Sequence, residues 1–200
     1  MEERRNGMSH HFFAMISRMK YIERWALMRN SERENISQHS LEVGMIAHAL
    51  ALISNKRLGN QLNAERAAVL AMYHDSTEII TGDMPTPIKY YNKEMKNTFQ
   101  EIEDLAAKQL IHLLPEDFRE EYESIFFHKE EETYLWRLVK AADRISALIK
   151  CIEEEKAGNN EFVKAKETIE TAVYQSGLKE VDIFMEEFLP SYYMTLDELS

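Results

Sequence analysis

The chain has a single cysteine, Cys151, among its 200 residues, so it has no intramolecular disulfide. Its setting, Ala147-Leu148-Ile149-Lys150-Cys151-Ile152, is that of a buried helical thiol acting as a small apolar side chain. Glycine (6) and proline (4) are scarce, which argues against a turn-rich β architecture and against long linkers. There is no secretory leader and no long uncharged apolar span, so a cytoplasmic protein without a membrane partner is expected. Positive charge is in the minority, with 24 Lys and Arg against 35 Asp and Glu and a formal net charge of −11. A broad surface for a nucleic-acid polymer needs clustered Lys and Arg and is not expected here. A small phosphate can still bind an acidic protein if a metal ion and one or two arginines meet it locally.

What remains is the composition of a soluble globular protein, 44% hydrophobic and 30% charged. The length fits one domain, 1–200, with a substantial core. No repeat or low-complexity tract interrupts it. The pattern predicts helices throughout. The first spans 12–25. The next opens near Ser37 as N-cap and carries His39, Val43, Ile46, Leu50 and Ile53 on one face. Asn63 caps a third helix, whose inner face holds Ala67, Leu70, Ala71 and His74 and which ends near His74-Asp75. A loop is predicted over 81–87 from Pro85 and Pro87. Further helices are predicted over 89–114, 116–127, 131–157, 160–175 and 180–188. In the 131–157 helix Leu135, Leu138, Val139, Ala142, Ile145 and Ile149 face the core, Asp143 sits at the edge of that face, and Gly158 closes the helix. The expected fold is an all-α single compact helical domain.

Within this frame His74-Asp75 is the most informative pair. A lone histidine on an apolar face is most often a hydrogen-bonded core residue. Two inward histidines, His39 and His74, with an adjacent Asp75 and a mid-helix Asp143, form a different case. Buried carboxylates are costly unless paired or bound to metal. One divalent cation would neutralise Asp75 and Asp143 while taking nitrogen ligands from His39 and His74. Mixed nitrogen and oxygen ligation suits a transition metal better than calcium. Glu78, three residues after Asp75, is either a general acid or base beside that metal or a solvated surface glutamate. His10 and His11 read as surface residues, His48 as a packing histidine beside Leu41, Met45 and Leu52, and His112 and His128 as helix-end residues; none is assigned to metal.

The order His39, His74-Asp75, Asp143 resembles the H…HD…D signature of the HD-domain phosphohydrolase superfamily. A closer likeness is to the bacterial HD-domain 5′-deoxynucleotidases. It is carried by Arg24-Trp25-Ala26-Leu27-Met28-Arg29-Asn30, by Glu34-Asn35-Ile36-Ser37-Gln38-His39-Ser40-Leu41 and by Ala71-Met72-Tyr73-His74-Asp75. Thr81-Gly82-Asp83-Met84-Pro85-Thr86-Pro87-Ile88-Lys89-Tyr90 and, far from the metal ligands, Ala157-Gly158-Asn159-Asn160-Glu161-Phe162 add to it. Ser76-Thr77 departs mildly from the more usual Ala-Ser and leaves the ligands and Glu78 in place.

The resemblance implies metal-dependent removal of the 5′-phosphate from deoxyribonucleoside 5′-monophosphates, a preference for deoxyribose over ribose, and a homodimer. It implies one divalent ion, cobalt, manganese or similar, on His39, His74, Asp75 and Asp143. In that reading Glu78 gives a proton to the leaving oxygen, Asp75 also orients the nucleophile, and Arg24 clamps the phosphate. Trp25 packs on the sugar. Asp83, Met84, Pro85 and Thr86 line the nucleotide pocket with His39, Asp75 and Asp143 at its floor. The ligand set alone leaves other readings open: a phosphodiesterase or triphosphohydrolase of the same fold, a di-iron oxygenase needing further histidines, or a nucleotide-binding protein without turnover.

Overall fold

In the computed structural model, residues 9–89 and 91–200 are described. The chain is all-α. Among the described residues the helices are α1 (Phe12–Ile16), α2 (Ile36–Arg57), α3 (Ala64–Tyr73), α4 (Glu78–Thr81), α5 (Thr86–Lys89), α6 (Lys93–His112), α7 (Glu116–Phe126), α8 (Thr133–Lys156), α9 (Val163–Tyr174) and α10 (Lys179–Glu187). Extended pairing among these residues is limited to one antiparallel bridge between Glu23 and Asn35.

Local chemistry explains the helix starts. Asn35 accepts from the Gln38 backbone N–H (3.1 Å), and the Gln38 side chain accepts from the Asn35 N–H (3.0 Å), a reciprocal capping box. The cap is therefore Asn35 and not the predicted Ser37, which lies inside the first turn. Asn63 caps α3 as predicted, 2.8 Å from the Arg66 N–H. Asn92 caps α6 in the same way, 2.7 Å from the Met95 N–H, so that helix starts four residues after the predicted position 89. At the far end of α8, Gly158 adopts φ 80°, the left-handed conformation that ends a helix at little cost for glycine.

Helices α2, α3 and α8 pack on one another and are joined by α10. Val43, Ile46, Leu50, Leu70, Leu138, Ile145 and Val181 are part of one apolar cluster. The predicted inward faces of α2 and α8 are buried residue for residue. Burying each large aliphatic side chain contributes about 1.5–3 kcal/mol. A smaller cluster of Phe12 with Leu110 and Leu114 ties α1 to the end of α6.

The prediction of one helix over 12–25 is corrected. After α1 the chain makes a 3-10 stretch, Ser17–Tyr21, then turns extended at Ile22. It then runs beside the segment leading into α2, with Arg24 N–H bonded to Glu34 O (2.9 Å) and Ile36 N–H to Ile22 O (3.0 Å). Between these two segments Trp25 stands at φ 60°. The predicted loop over 81–87 is shorter than expected, because Thr86–Lys89 closes into a helical turn. The predicted helix over 131–157 starts at Thr133, after a 3-10 turn at Glu130–Glu132.

Candidate metal centre

Three core helices bring the predicted ligands together. His39 leaves the first turn of α2, His74 caps the C-terminus of α3, Asp75 follows it, and Asp143 comes from the middle of α8. His39, His74 and Asp143 each offer a ligand atom, and these atoms all lie within 4.8 Å of one another. Asp75 Oδ2 completes the group, 3.5 Å from His39 Nε2 and 3.1 Å from His74 Nε2. Asp143 Oδ1 is 3.1 Å from His39 Nε2.

The outward nitrogen of each histidine is already engaged. His74 Nδ1 is 2.6 Å from Ala71 O, where only an N–H can be accepted, so in the neutral ring that a cation would bind the lone pair lies on Nε2, toward the cluster. That Nε2 is buried, with the Asp75 carboxylate 3.1 Å away as its neighbour. His39 Nδ1 is 3.0 Å from Ser146 Oγ, which donates its own proton to Glu42. Two imidazoles oriented through their second nitrogen, with carboxylates opposite, form the donor set a transition-metal ion takes. Residues and cation fit.

Charge supports the same conclusion. Burial disfavours ionised Asp75, but the neighbouring His74 outweighs it and holds the carboxylate below its usual range. His74 is the counterpart: burial lowers its pKa, and Asp75 and Asp143 together push it up to about 9. A proton there stands in for a cation. Glu78 behaves oppositely. It is buried, its Oε2 has no partner, and burial followed by the charges of Asp75 and Asp83 pushes it up to about 10. The glutamate is therefore a buried group whose surroundings favour the neutral acid, and not a solvated surface group.

Arg24 and Trp25 are brought to this cluster by the extended segment after α1. Arg24 Nη1 and Trp25 Nε1 both donate to Glu34 Oε2, at 3.1 and 2.9 Å. Burial opposes the Arg24 charge, but Glu34, Asp143, Asp75 and Asp83 surround it and raise its pKa. Asp83, in the 82–85 loop, has its pKa raised by burial, against which the charge of Arg24 and the Trp25 backbone amide favour the ionised form. Met84 and Pro85 lie half-buried in that loop, and the side chain of Thr86 lies outside the described residues. A bulky residue at positive φ is strained by about 1–3 kcal/mol and persists where its surroundings over-determine it. Glu34, Glu42 and Ser146 were not singled out from the sequence. Glu34 stands in a recognisable motif, but no spacing rule marks a carboxylate that will accept from two neighbours ten and nine residues earlier.

His10, His11, His112 and His128 are exposed, away from any role as ligands, and His128 stacks edge-on against Trp136. His48 lies with Leu41 and Met45 as predicted, but their face points outward, with Leu41 53% and Met45 62% exposed. Cys151 is fully buried.

This fold and an H…HD…D cluster on packed helices define a metal-dependent phosphohydrolase of the HD class. An HD-domain phosphohydrolase from Listeria innocua shares the fold with a TM-score of 0.80, at 24% identity over 92% of this chain and 88% of its own. An HD phosphohydrolase of cyanophage S-2L, whose structure holds dA and one catalytic Zn2+ ion, matches with a TM-score of 0.62 and 22% identity over 91% of this chain and 96% of its own. Sequence narrows the class. A 5′-deoxynucleotidase of Vibrio vulnificus is 48% identical over 190 residues, 95% of this chain and 98% of that protein. The family model described as 5′-deoxynucleotidase YfbR-like matches residues 11–192, and the chain belongs to that family.

Proposed function

We infer that this protein is a 5′-deoxynucleotidase that hydrolyses deoxyribonucleoside 5′-monophosphates to deoxyribonucleoside and phosphate and prefers deoxyribose to ribose. The observation that carries the reading is the placing of Arg24 and Trp25, held side by side by Glu34, against the His39, His74, Asp75 and Asp143 cluster.

A divalent ion such as cobalt or manganese, held by His39, His74, Asp75 and Asp143, would polarise a phosphate oxygen and make a water acidic enough to serve as nucleophile near neutral pH. The chain's own groups do the rest. Arg24 offers two guanidinium N–H groups to phosphate oxygens and balances the charge that builds up in the transition state. Asp75 accepts a hydrogen bond from the attacking water and aligns it. Glu78 enters the reaction protonated and gives its proton to the departing 5′ oxygen. Trp25 lies along the sugar, where its indole fills the space a 2′-hydroxyl needs. Asp83 accepts from the 3′-hydroxyl. Met84, Pro85 and Thr86 form the wall beside it. Base contacts are few in this arrangement, so several deoxynucleotides serve as substrates.

We place the whole site in one domain spanning the chain, in the cytoplasm; among the described residues no helix is long and apolar enough to cross a membrane. We also propose a homodimer. The outer face of α2 presents Leu41, Met45, His48 and Leu52 at spacings of four, three and four, beside Ala68 and Met72 of α3. Such an unpaired apolar seam fits the same seam of a second copy across a two-fold axis. The test of the activity is phosphate release from dAMP and AMP by metal-stripped protein, with and without added Co2+ or Mn2+. Metal-dependent release much faster from dAMP bears the reading out, and no release from either overturns it.

A further inference from the structure

The run Ala157-Gly158-Asn159-Asn160-Glu161-Phe162 stands out in the sequence and takes no part in the chemistry above. It packs, together with the end of α8, against the far side of the segment that carries Arg24 and Trp25. Glu154 lies at the centre of this contact and is 1% exposed. Its carboxylate accepts from Ser31 N–H (2.8 Å), Glu32 N–H (3.3 Å), Asn159 Nδ2 (2.7 Å) and Lys150 Nζ. Lys150 Nζ also donates to Glu32 O, and Asn159 Nδ2 to Arg29 O (2.7 Å). The Phe162 ring is fully buried, 5.2 Å from the Trp25 ring.

On α8, Asp143, Ser146, Lys150 and Glu154 follow one another at spacings of three and four, so they share one face. That face is polar and inward. Its near end holds His39 through Asp143 and Ser146, and its far end holds the backbone of residues 29–32. Glu154 is about 16 Å along the axis from Asp143 at 1.5 Å per residue. One rigid helix therefore carries both a cation ligand and the anchor of the arginine–tryptophan loop.

We propose that Glu154 is a positioning residue: it fixes the 24–34 loop so that Arg24 and Trp25 stand at a set place relative to Asp143. The consequence for substrate rests on the reading of Arg24 and Trp25 as phosphate and sugar contacts. A buried ion pair such as Lys150–Glu154 is a weak source of net stability, and its worth here is the single geometry it imposes. Trp25 is held at φ 60°, with its indole N–H on Glu34 and its carbonyl accepting from Met28 N–H and Asn30 Nδ2. Loosening the Glu154 contacts frees the backbone of residues 29–32 that follows this turn, and a displacement of about 1 Å at a substrate-binding group costs on the order of a hundredfold in rate.

The test uses full-length, metal-loaded protein carrying Trp136→Phe, which makes Trp25 the one remaining tryptophan of the two in the chain. Glu154→Gln and Asn159→Ala are made in that background, with Ser54→Ala, which loses a buried bond to Glu180 elsewhere, as the comparator of matched stability loss. Both loop variants keep the wild-type metal content and expose Trp25 more to acrylamide quenching. They lower kcat/KM for dAMP by about tenfold to a hundredfold, as displacement of a substrate-binding group predicts, and narrow the dAMP-over-AMP preference; Ser54→Ala does none of this. Quenching and preference unchanged in both loop variants, or moved equally by Ser54→Ala, overturn the proposal. Trp25→Gly separates the two readings. If it abolishes the preference and the loop variants do not touch it, the positioning role fails alone. If it leaves the preference intact while the loop variants still unmask Trp25, Glu154 fixes the loop and the sugar-contact reading fails.

Discussion

Ser146 Oγ lies 3.0 Å from His39 Nδ1 and can only accept there, because its own proton goes to Glu42 Oε2 at 2.5 Å. With a cation in place of the proton between Nε2 and Asp143, the chain Glu42–Ser146–His39 would hold the ring with N–H on Nδ1 and the Nε2 lone pair toward the ion. Ser146→Ala removes the acceptor and leaves the ring free to turn or change tautomer. Divalent-ion affinity, measured by competition with a chelating dye, should fall about 10–100-fold. Unchanged affinity would show that packing alone orients His39.

A cation that binds only the folded cluster stabilises the protein by mass action. At free ion a hundred times Kd the gain is about 2.7 kcal/mol. Stripping the metal should lower the melting temperature, and Co2+ or Mn2+ should restore it. Asp143→Asn should lose that response together with activity. A variant that still binds and turns over would remove Asp143 from the ligand set.

Glu78 sits buried in the site with an unpartnered oxygen and a pKa raised by burial and by Asp75. Glu78→Gln keeps its shape and removes the proton to be given. Metal content and KM should hold while kcat falls about 10²–10⁴-fold, the usual weight of a positioned general acid. Wild-type kcat in this variant would assign the leaving-group proton to another donor.

The outward seam of α2 makes oligomeric state testable. Met45, 62% exposed, lies mid-seam. Met45→Glu places a charge where a two-fold partner would bury it. Sedimentation equilibrium should show a dimer for the parent and a monomer for the variant, with the helical circular dichroism retained. Equal masses for the two proteins would move the interface elsewhere or remove it.

Acid should loosen the arginine–tryptophan loop before the core. Burial alone would raise the Glu154 pKa, but hydrogen bonds from Lys150, Asn159 and Ser31 outweigh it and hold the group at about 2 against an ordinary 4.5. A carboxyl whose folded pKa is depressed stabilises the fold fully above the unfolded value and loses that contribution as pH falls toward the folded one. The window is therefore about pH 4.5 down to 2. Melting temperature followed by circular dichroism should drop more steeply across it in wild type than in Glu154→Gln; parallel curves would assign the acid sensitivity to other carboxylates.

The helices that carry the ligands could be read in advance because their signals are local. Val43, Ile46, Leu50 and Ile53 repeat at helical spacing after His39, and the same repeat runs through α8 around Asp143, so His39 was placed on an inner face and Asp143 at the edge of one before any packing was known. Asn63 marked a helix start by side-chain chemistry alone. Ser37 misled for the same reason: it is a good cap residue, but Asn35 has Gln38 at the position that closes a reciprocal box. The stretch after α1 offered no glycine or proline to mark its turn, and a continuous helix was the local expectation. The extended turn at Trp25 is held by partners far along the chain, among them Glu154 and Asn159 acting on its flanking backbone.

The amino-acid sequence by itself determined the all-α character, the candidate ligand residues and the faces they occupy, since helical period and the cost of burying bare carboxylates act within one segment. Tertiary structure decided that Glu78 is buried where its surroundings favour the neutral acid, that Glu34 holds Arg24 and Trp25 together, and that Ser146 and Glu154 serve opposite ends of one helix face. Those properties belong to distances between groups more than a hundred positions apart in some cases, and desolvation and hydrogen bonding depend on which surfaces meet, which no local pattern records.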